Sequence, residues 1–175
     1  MRMHSAALLV SLLASPTVAA EPVRTPMLGH PASLAEVEAW DISIGPDGAG
    51  LPPGQGNVEQ GRELFALVCQ PCHNEAGKGQ PSDRLTGGIG TLATAAPIKT
   101  VASFWPYATT LFDYVRRAMP LQSPQSLNND QVYALVAYLL SVDGIVPATA
   151  TLDAQSLAAI RMPNRDGFVP WPSNR

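Results

Sequence analysis

The stretch "CQPCH", residues 69–73, contains both cysteines of the chain and sets a histidine directly behind the second. Two thiols and an imidazole within five residues suit three chemistries: a redox dithiol, half of a zinc site, or a haem sewn to the protein through Cys69 and Cys72. Each makes different demands on its surroundings, so the rest of the sequence has to choose.

A chain of 175 residues with 46% hydrophobic content suits one globular body with tails. Charged residues are sparse at 14%, whereas 17 prolines and 14 glycines are many, so much of the chain must run as irregular loop. The sequence carries no internal repeat, heptad seam, low-complexity tract or basic block. Solenoid, coiled-coil and nucleic-acid-binding architectures therefore lose support, and no nucleic-acid partner is expected.

The first twenty residues read as a secretory signal peptide. Arg2 supplies the positive start, Ala6 to Ala14 an unbroken apolar and small-residue run, and Val18-Ala19-Ala20 the small side chains for cleavage after Ala20. The run is too short for a membrane anchor, which needs about 20 apolar residues. No span is expected in the mature chain, and the expected location is the periplasm. The leader takes Arg2, one of 11 basic residues against 14 acidic ones, so a formal charge of −3 becomes −4.

Export sharpens the cysteine question, because an oxidising compartment joins free thiols unless something occupies them. Zinc would need two further ligands, yet there is no second Cys pair, and His30 and His73 are the only histidines past the leader. A thioredoxin-like dithiol opens a helix after a buried strand, whereas this pair stands at the end of a helical pattern. Covalent haem attachment asks for Cys-x-x-Cys-His: two thiols for the two vinyl groups, and the next imidazole for the iron. The motif favours one covalent haem c, held by Cys69 and Cys72 with His73 as an iron ligand.

The helix leading in has Asn57 as cap and Gln60 in capping-box position, with Val58, Leu64, Phe65 and Val68 gathered on one face. Gly61 shares that face. A mid-helix glycine costs about 1 kcal/mol against alanine, which suggests that another backbone or ring approaches there. Candidates for a sixth iron ligand are Met27, His30, Met119 and Met162. Met119 stands out: Leu111, Tyr114, Val115 and Ala118 mark an amphipathic helix, and Pro120 forces the residue before it out of helical geometry. A second helix signature follows, with Leu127 and Val132 stapling an Asn128 cap, Gln131 at the third position, and Val132, Leu135, Val136 and Leu139 on one face up to Asp143-Gly144.

Helix, CxxCH, long loop, Met-Pro, helix: this order, with Gly61 and Phe65 in the first helix and Tyr138 in the last, resembles the class I cytochrome c fold. The resemblance implies an all-α protein, a few short helices around one covalently bound haem with long irregular loops, the first and last helices crossing beside the haem. It assigns the sixth-ligand role to Met119. It also implies that a backbone carbonyl between Ser82 and Leu85 accepts the proximal imidazole N–H. Residues 74–106 form a loop of a length that compact domains avoid without a reason. Packing on haem supplies one, with Leu85, Ile89, Leu92, Ile98 and Val101 expected to be buried. Arg84, Trp105 and Tyr107 carry donors for the haem propionates. Met162 is expected to be a packing methionine and His30 a surface residue.

The segments "WDISIGPDGAGLPPGQG" (40–56), "PSDRLTGGIGTL" (81–92), "KTVASFWPYATTLFDYVRRAMP" (99–120) and "MPNRDGF" (162–168) are similar to the cytochrome subunits of bacterial sulfite dehydrogenases and of the SoxD type of sulfur dehydrogenase. In that family a molybdenum-cofactor (molybdopterin) subunit oxidises a reduced sulfur compound and passes electrons singly to the haem. The resemblance implies such a subunit as electron donor, a downstream cytochrome or oxidase as acceptor, and no catalysis by this chain alone. Some sulfur dehydrogenase cytochromes are longer and hold two haems; one CxxCH here allows one. The alternatives are a general periplasmic carrier and a haem enzyme or gas sensor with a displaceable sixth ligand. The expected layout is a signal peptide (1–20), an extended N-terminal segment (21–56), a haem domain (57–145) and an irregular C-terminal tail (146–175) that wraps the domain or docks on a partner. Electron entry is expected around Pro71, residues 95–97 and residues 119–122.

Overall fold

The computed structural model describes residues 28–169. The expected leader and Met27 lie outside the described residues. Six helices and one pair of short strands follow in the order α1 (Leu34–Trp40), β1 (Gln55–Asn57), α2 (Val58–Val68), α3 (Gln70–His73), α4 (Ala108–Ala118), α5 (Asn129–Val142), β2 (Thr151–Asp153) and α6 (Ala154–Ala158), with a 3₁₀ turn at Glu75–Gly77. Among the described residues no helix is long and apolar enough to cross a membrane.

The core is built on α5. Its cap forms as the sequence predicts, Asn128 and Gln131 bonding each other's backbone N–H groups. Its burial is wider than the expected single face: Tyr133, Ala134, Ala137 and Leu140 are buried along with Val132, Leu135, Val136 and Leu139. A helix apolar on nearly all sides is a central one, and α2, α4 and both strands pack around it.

Helix α2, capped by the Asn57–Gln60 box, crosses α5 at closest range where Gly61 meets Ala134. A methyl on Gly61 would overlap the Ala134 carbonyl oxygen and fall 2.8 Å from Tyr138 Cβ, so the close approach expected at this glycine is that of the α5 backbone. Gly56 in β1 abuts the same turn, where a methyl would lie 2.5 Å from Asp130 O. Beside the crossing the Phe65 and Tyr138 rings stand 5.2 Å apart.

Helix α4 buries Ala108, Thr109, Leu111, Phe112 and Val115. Tyr114, expected on the buried stripe, is half exposed and meets Trp105 edge-on at 5.6 Å. Asp113 and Arg117 pair at 2.6 Å on the outer face.

Both flanking segments hold more structure than the expected extended lead and irregular tail. Residues 55–57 pair antiparallel with 151–153, Gly56 opposite Leu152, and α6 follows under an Asp153–Ser156 capping box. Leu152, Leu157 and Met162 enter the main core. Upstream, Tyr133 donates to Pro52 O at 2.8 Å, Asn129 Nδ2 to Pro53 O at 3.1 Å and Arg117 to Ile42 O at 3.3 Å, strapping residues 42–57 to the body. Burial, with Asp153 adding, pushes the Tyr133 phenol up to about 12. Helix α1 has a complete Ser33–Glu36 capping box and no buried residue.

Candidate functional site

The motif sits at a break between two helices. Pro71 has no N–H to donate back along α2, so α2 stops at Val68 and a four-residue turn, α3, starts afresh with Pro71 in its first turn. Cys72 and His73 both donate to Cys69 O, at 3.1 and 2.9 Å. One helical turn separates the thiols, which puts both on one side, and Cys69, Cys72 and His73 line a single cleft of about 690 Å³.

The chain then folds back over the motif. Gly79 donates to His73 O at 2.8 Å and Ser82 to Cys72 O at 2.9 Å, which delivers Asp83 O to 2.8 Å from His73 Nδ1. A carbonyl only accepts, so Nδ1 carries the proton and Nε2 keeps its lone pair for a metal. The carbonyl falls within the expected 82–85 window.

Past Gly77 no helix or strand appears until Ala108, and hydroxyls do the work of a ladder. Thr86 donates to Ala76 O at 2.7 Å, Thr100 to Gly87 O at 2.7 Å and Ser103 to Ile98 O at 2.6 Å. Both Asp143 oxygens accept from Gly87 N, at 2.8 and 2.9 Å, tying the loop to the end of α5. Burial raises the Asp143 carboxyl above its usual value, against those bonds, which lower it. Leu85 and Val101 turn inward as expected, but Ile89 and Ile98 are exposed and off the cleft wall.

Helix α4 brings the other candidate ligand. Met119 is its C-cap, with φ −119° and ψ 148°, extended as Pro120 requires, and its N–H still donates to Val115 O. The residue is half-buried and lines the same cleft as His73. His30 is exposed beside Glu36, and Met162 is buried in the core, so neither reaches the cleft.

The remaining walls suit a flat apolar ring system with acidic substituents. Phe65, Val68, Leu111, Val115, Leu135 and Leu139 supply apolar surface, while Arg84, Lys99 and Trp105 supply donors. Tyr107, expected among these donors, packs under the Arg165 guanidinium at 4.2 Å and is not on the cleft. Lys99 belongs to no motif, and its signal in the sequence is a lysine that ends the uncharged stretch 85–98. Of the expected entry points, residues 119–122 border the cleft, whereas Pro71 and residues 95–97 do not.

The donor set fits haem better than the other two chemistries. Burial, with Cys72 adding, pushes the Cys69 thiol up to about 11, the reverse of the lowered value a redox dithiol needs. Among the described residues no three His, Cys, Asp or Glu side chains are gathered as a metal held by such ligands alone would require.

Comparison with known proteins agrees. Residues 58–143 match the family described as Cytochrome c. A chain in the crystal structure of the sulfane dehydrogenase SoxCD from Paracoccus pantotrophus superposes with a TM-score of 0.78 at 40% sequence identity, covering 85% of this chain and 73% of that one. No curated protein matches the chain significantly. With its mostly helical fold and its CxxCH pair, the chain belongs to the cytochrome c family, in its class I form with covalently bound haem c.

Proposed function

We propose that this cytochrome is an exported, periplasmic carrier that takes single electrons from the molybdenum-cofactor subunit of a sulfite or sulfur dehydrogenase and passes them to the respiratory chain. Two things support the reading: a cleft lined by both His73, with Nε2 free, and Met119, and 40% identity to a chain of a sulfane dehydrogenase.

Cys69 and Cys72 would hold the haem as thioethers, and His73 Nε2 and Met119 Sδ would be the ligands to its iron. The haem supplies a reversible one-electron change at iron. The chain's residues do the rest. The Asp83 carbonyl fixes the ring of His73 and makes it a better donor. Pro120 and the α4 cap hold Met119 extended, so its thioether need not be recruited from a mobile loop. With His73 and Met119 both committed to the iron, the chain would suit electron transfer without bond-making, and a methionine ligand would favour the reduced state, as an acceptor needs. Leu121, 72% exposed at the mouth of the cleft, offers an apolar contact for a partner.

The test is stopped-flow reduction of the oxidised protein by the molybdenum-cofactor sulfur dehydrogenase subunit from the same genome, with sulfite or a sulfane-sulfur donor. Rapid reduction that requires both enzyme and sulfur compound is expected. No reduction of a protein with intact methionine ligation would overturn the choice of donor.

A further inference from the structure

Helix α1 is well made and buries nothing. It is only seven residues long, and a helix that short is marginal in water unless a packed face holds it. Leu34, Val37 and Trp40 recur every three residues along one edge, with exposures of 82%, 48% and 86%. The body's core closes without any of them.

Charge narrows what can cover that edge. Between Arg24 and Arg62 there is no Lys or Arg; Glu38 flanks the apolar residues together with Glu36, which faces His30 at 3.6 Å, and Asp41, which has Arg117 nearby. A second copy of this acidic chain would bring like charges together, and an anionic lipid surface would do the same; a basic-rimmed groove is the complement. The root of the arm is fixed by α4. The backbone just past α1 is held by Arg117, whose guanidinium bonds Ile42 O, two residues before Met119. The root of the arm therefore stands near the C-terminal end of α4, on the outer face that carries Asp113 and Arg117 and not on the face of Leu111, Val115 and Met119 that lines the cleft.

We propose that α1 is the arm by which the cytochrome grips its electron donor, its Leu34–Val37–Trp40 edge seated in an apolar groove with a basic rim on the molybdenum-cofactor subunit. This rests on the sulfur dehydrogenase reading given above. A donor holding the arm stays tethered to the cytochrome between successive one-electron transfers.

The experiment measures calorimetric affinity and stopped-flow reduction for the haem-loaded chain with that subunit, comparing wild type with a Leu34→Asp/Trp40→Asp variant. Truncating the apolar edge should weaken binding roughly thirtyfold or more. Melting temperature and reduction potential should stay put, because neither residue is buried. Glu38→Lys should slow association at low ionic strength; an unchanged association rate would overturn the basic rim. Undiminished affinity of the double variant, with wild type bound and reduced, would overturn the arm and leave the donor assignment standing. The same result, with a wild-type dimer in sedimentation that the variant dissolves, would give α1 to a second copy. If the wild-type chain is neither bound nor reduced, the donor assignment and the arm fall together.

Discussion

Replacing Gly61 by alanine probes the α2–α5 crossing directly. The added methyl would overlap Ala134 O, lie 2.5 Å from the Ala134 carbonyl carbon and 2.8 Å from Tyr138 Cβ. Non-bonded carbons rest about 3.5–4.0 Å apart, so the helices must part by roughly 1 Å. The obstruction is main chain within a helix, which no rotamer change relieves, so the cost belongs at the upper end of the about 1–3 kcal/mol typical of overpacking. Alanine returns about 1 kcal/mol of helix propensity, leaving a net loss of about 2 kcal/mol. In a chain of this size that is a fall of about 4–8 °C in Tm. Far-UV circular dichroism of the haem-loaded protein during heating reads it, and the haem absorption spectrum of the folded variant checks that ligation persists. An unchanged or higher Tm would mean that the crossing has slack, and the reasoning from close approach would be wrong.

Met119→Ala is expected to lower the reduction potential, abolish the sulfur-to-iron charge-transfer band and admit exogenous imidazole; an unaltered spectrum would remove Met119 from the ligand set. Tyr133→Phe removes a hydrogen bond worth about 1 kcal/mol. It also removes a phenol whose raised folded value makes its contribution complete below about pH 10 and lost as pH climbs through the folded value, so the Tm gap between wild type and variant should shrink above pH 10. Asp143→Asn tests the loop tie. The folded protein holds this proton more tightly than the unfolded chain, so its contribution is complete below the ordinary value of about 3.9 and declines as pH rises through the raised one. The wild-type minus variant Tm should accordingly fall from about pH 4 upward, and a constant difference would contradict it. Ser33→Ala should fray α1 in hydrogen exchange and leave the global Tm unmoved, since α1 contributes nothing to the core.

What the sequence made legible was local. The Asn57–Gln60 and Asn128–Gln131 boxes, the Met119-Pro120 stop and the CxxCH turn each depend on residues within one or two helical turns, and each is where its pattern put it. Contacts across the chain left weaker traces. Strand β2 is three residues long and exists only because β1 lies opposite, so no alternation within it could announce it. Tyr107 and Trp105 look alike as aromatic donors, and only long-range contacts separate them, Arg165 over Tyr107 and Tyr114 against Trp105. Ile89 and Ile98 read as core by hydropathy, yet in the loop that carries them Leu85 and Val101 supply the apolar packing, and threonine and serine hydroxyls hold the turns between. Helix α1 is a different kind of miss: the Ser33-x-x-Glu36 signature is plain in the sequence but precedes no long apolar run.

The pairing of residues 55–57 with 151–153 bears on how this cytochrome could be transplanted. A protein engineer who cut at 58 and 143, where the family match begins and ends, would discard Leu152, Leu157 and Met162 from the interior, strip the cap from Tyr133 and expose one flank of α5. The strap and the tail are staves of the same cask as the haem-bearing helices. A functional graft into another electron-transfer chain has to carry everything from about Ile42 through Met162, and a fusion partner belongs beyond those limits.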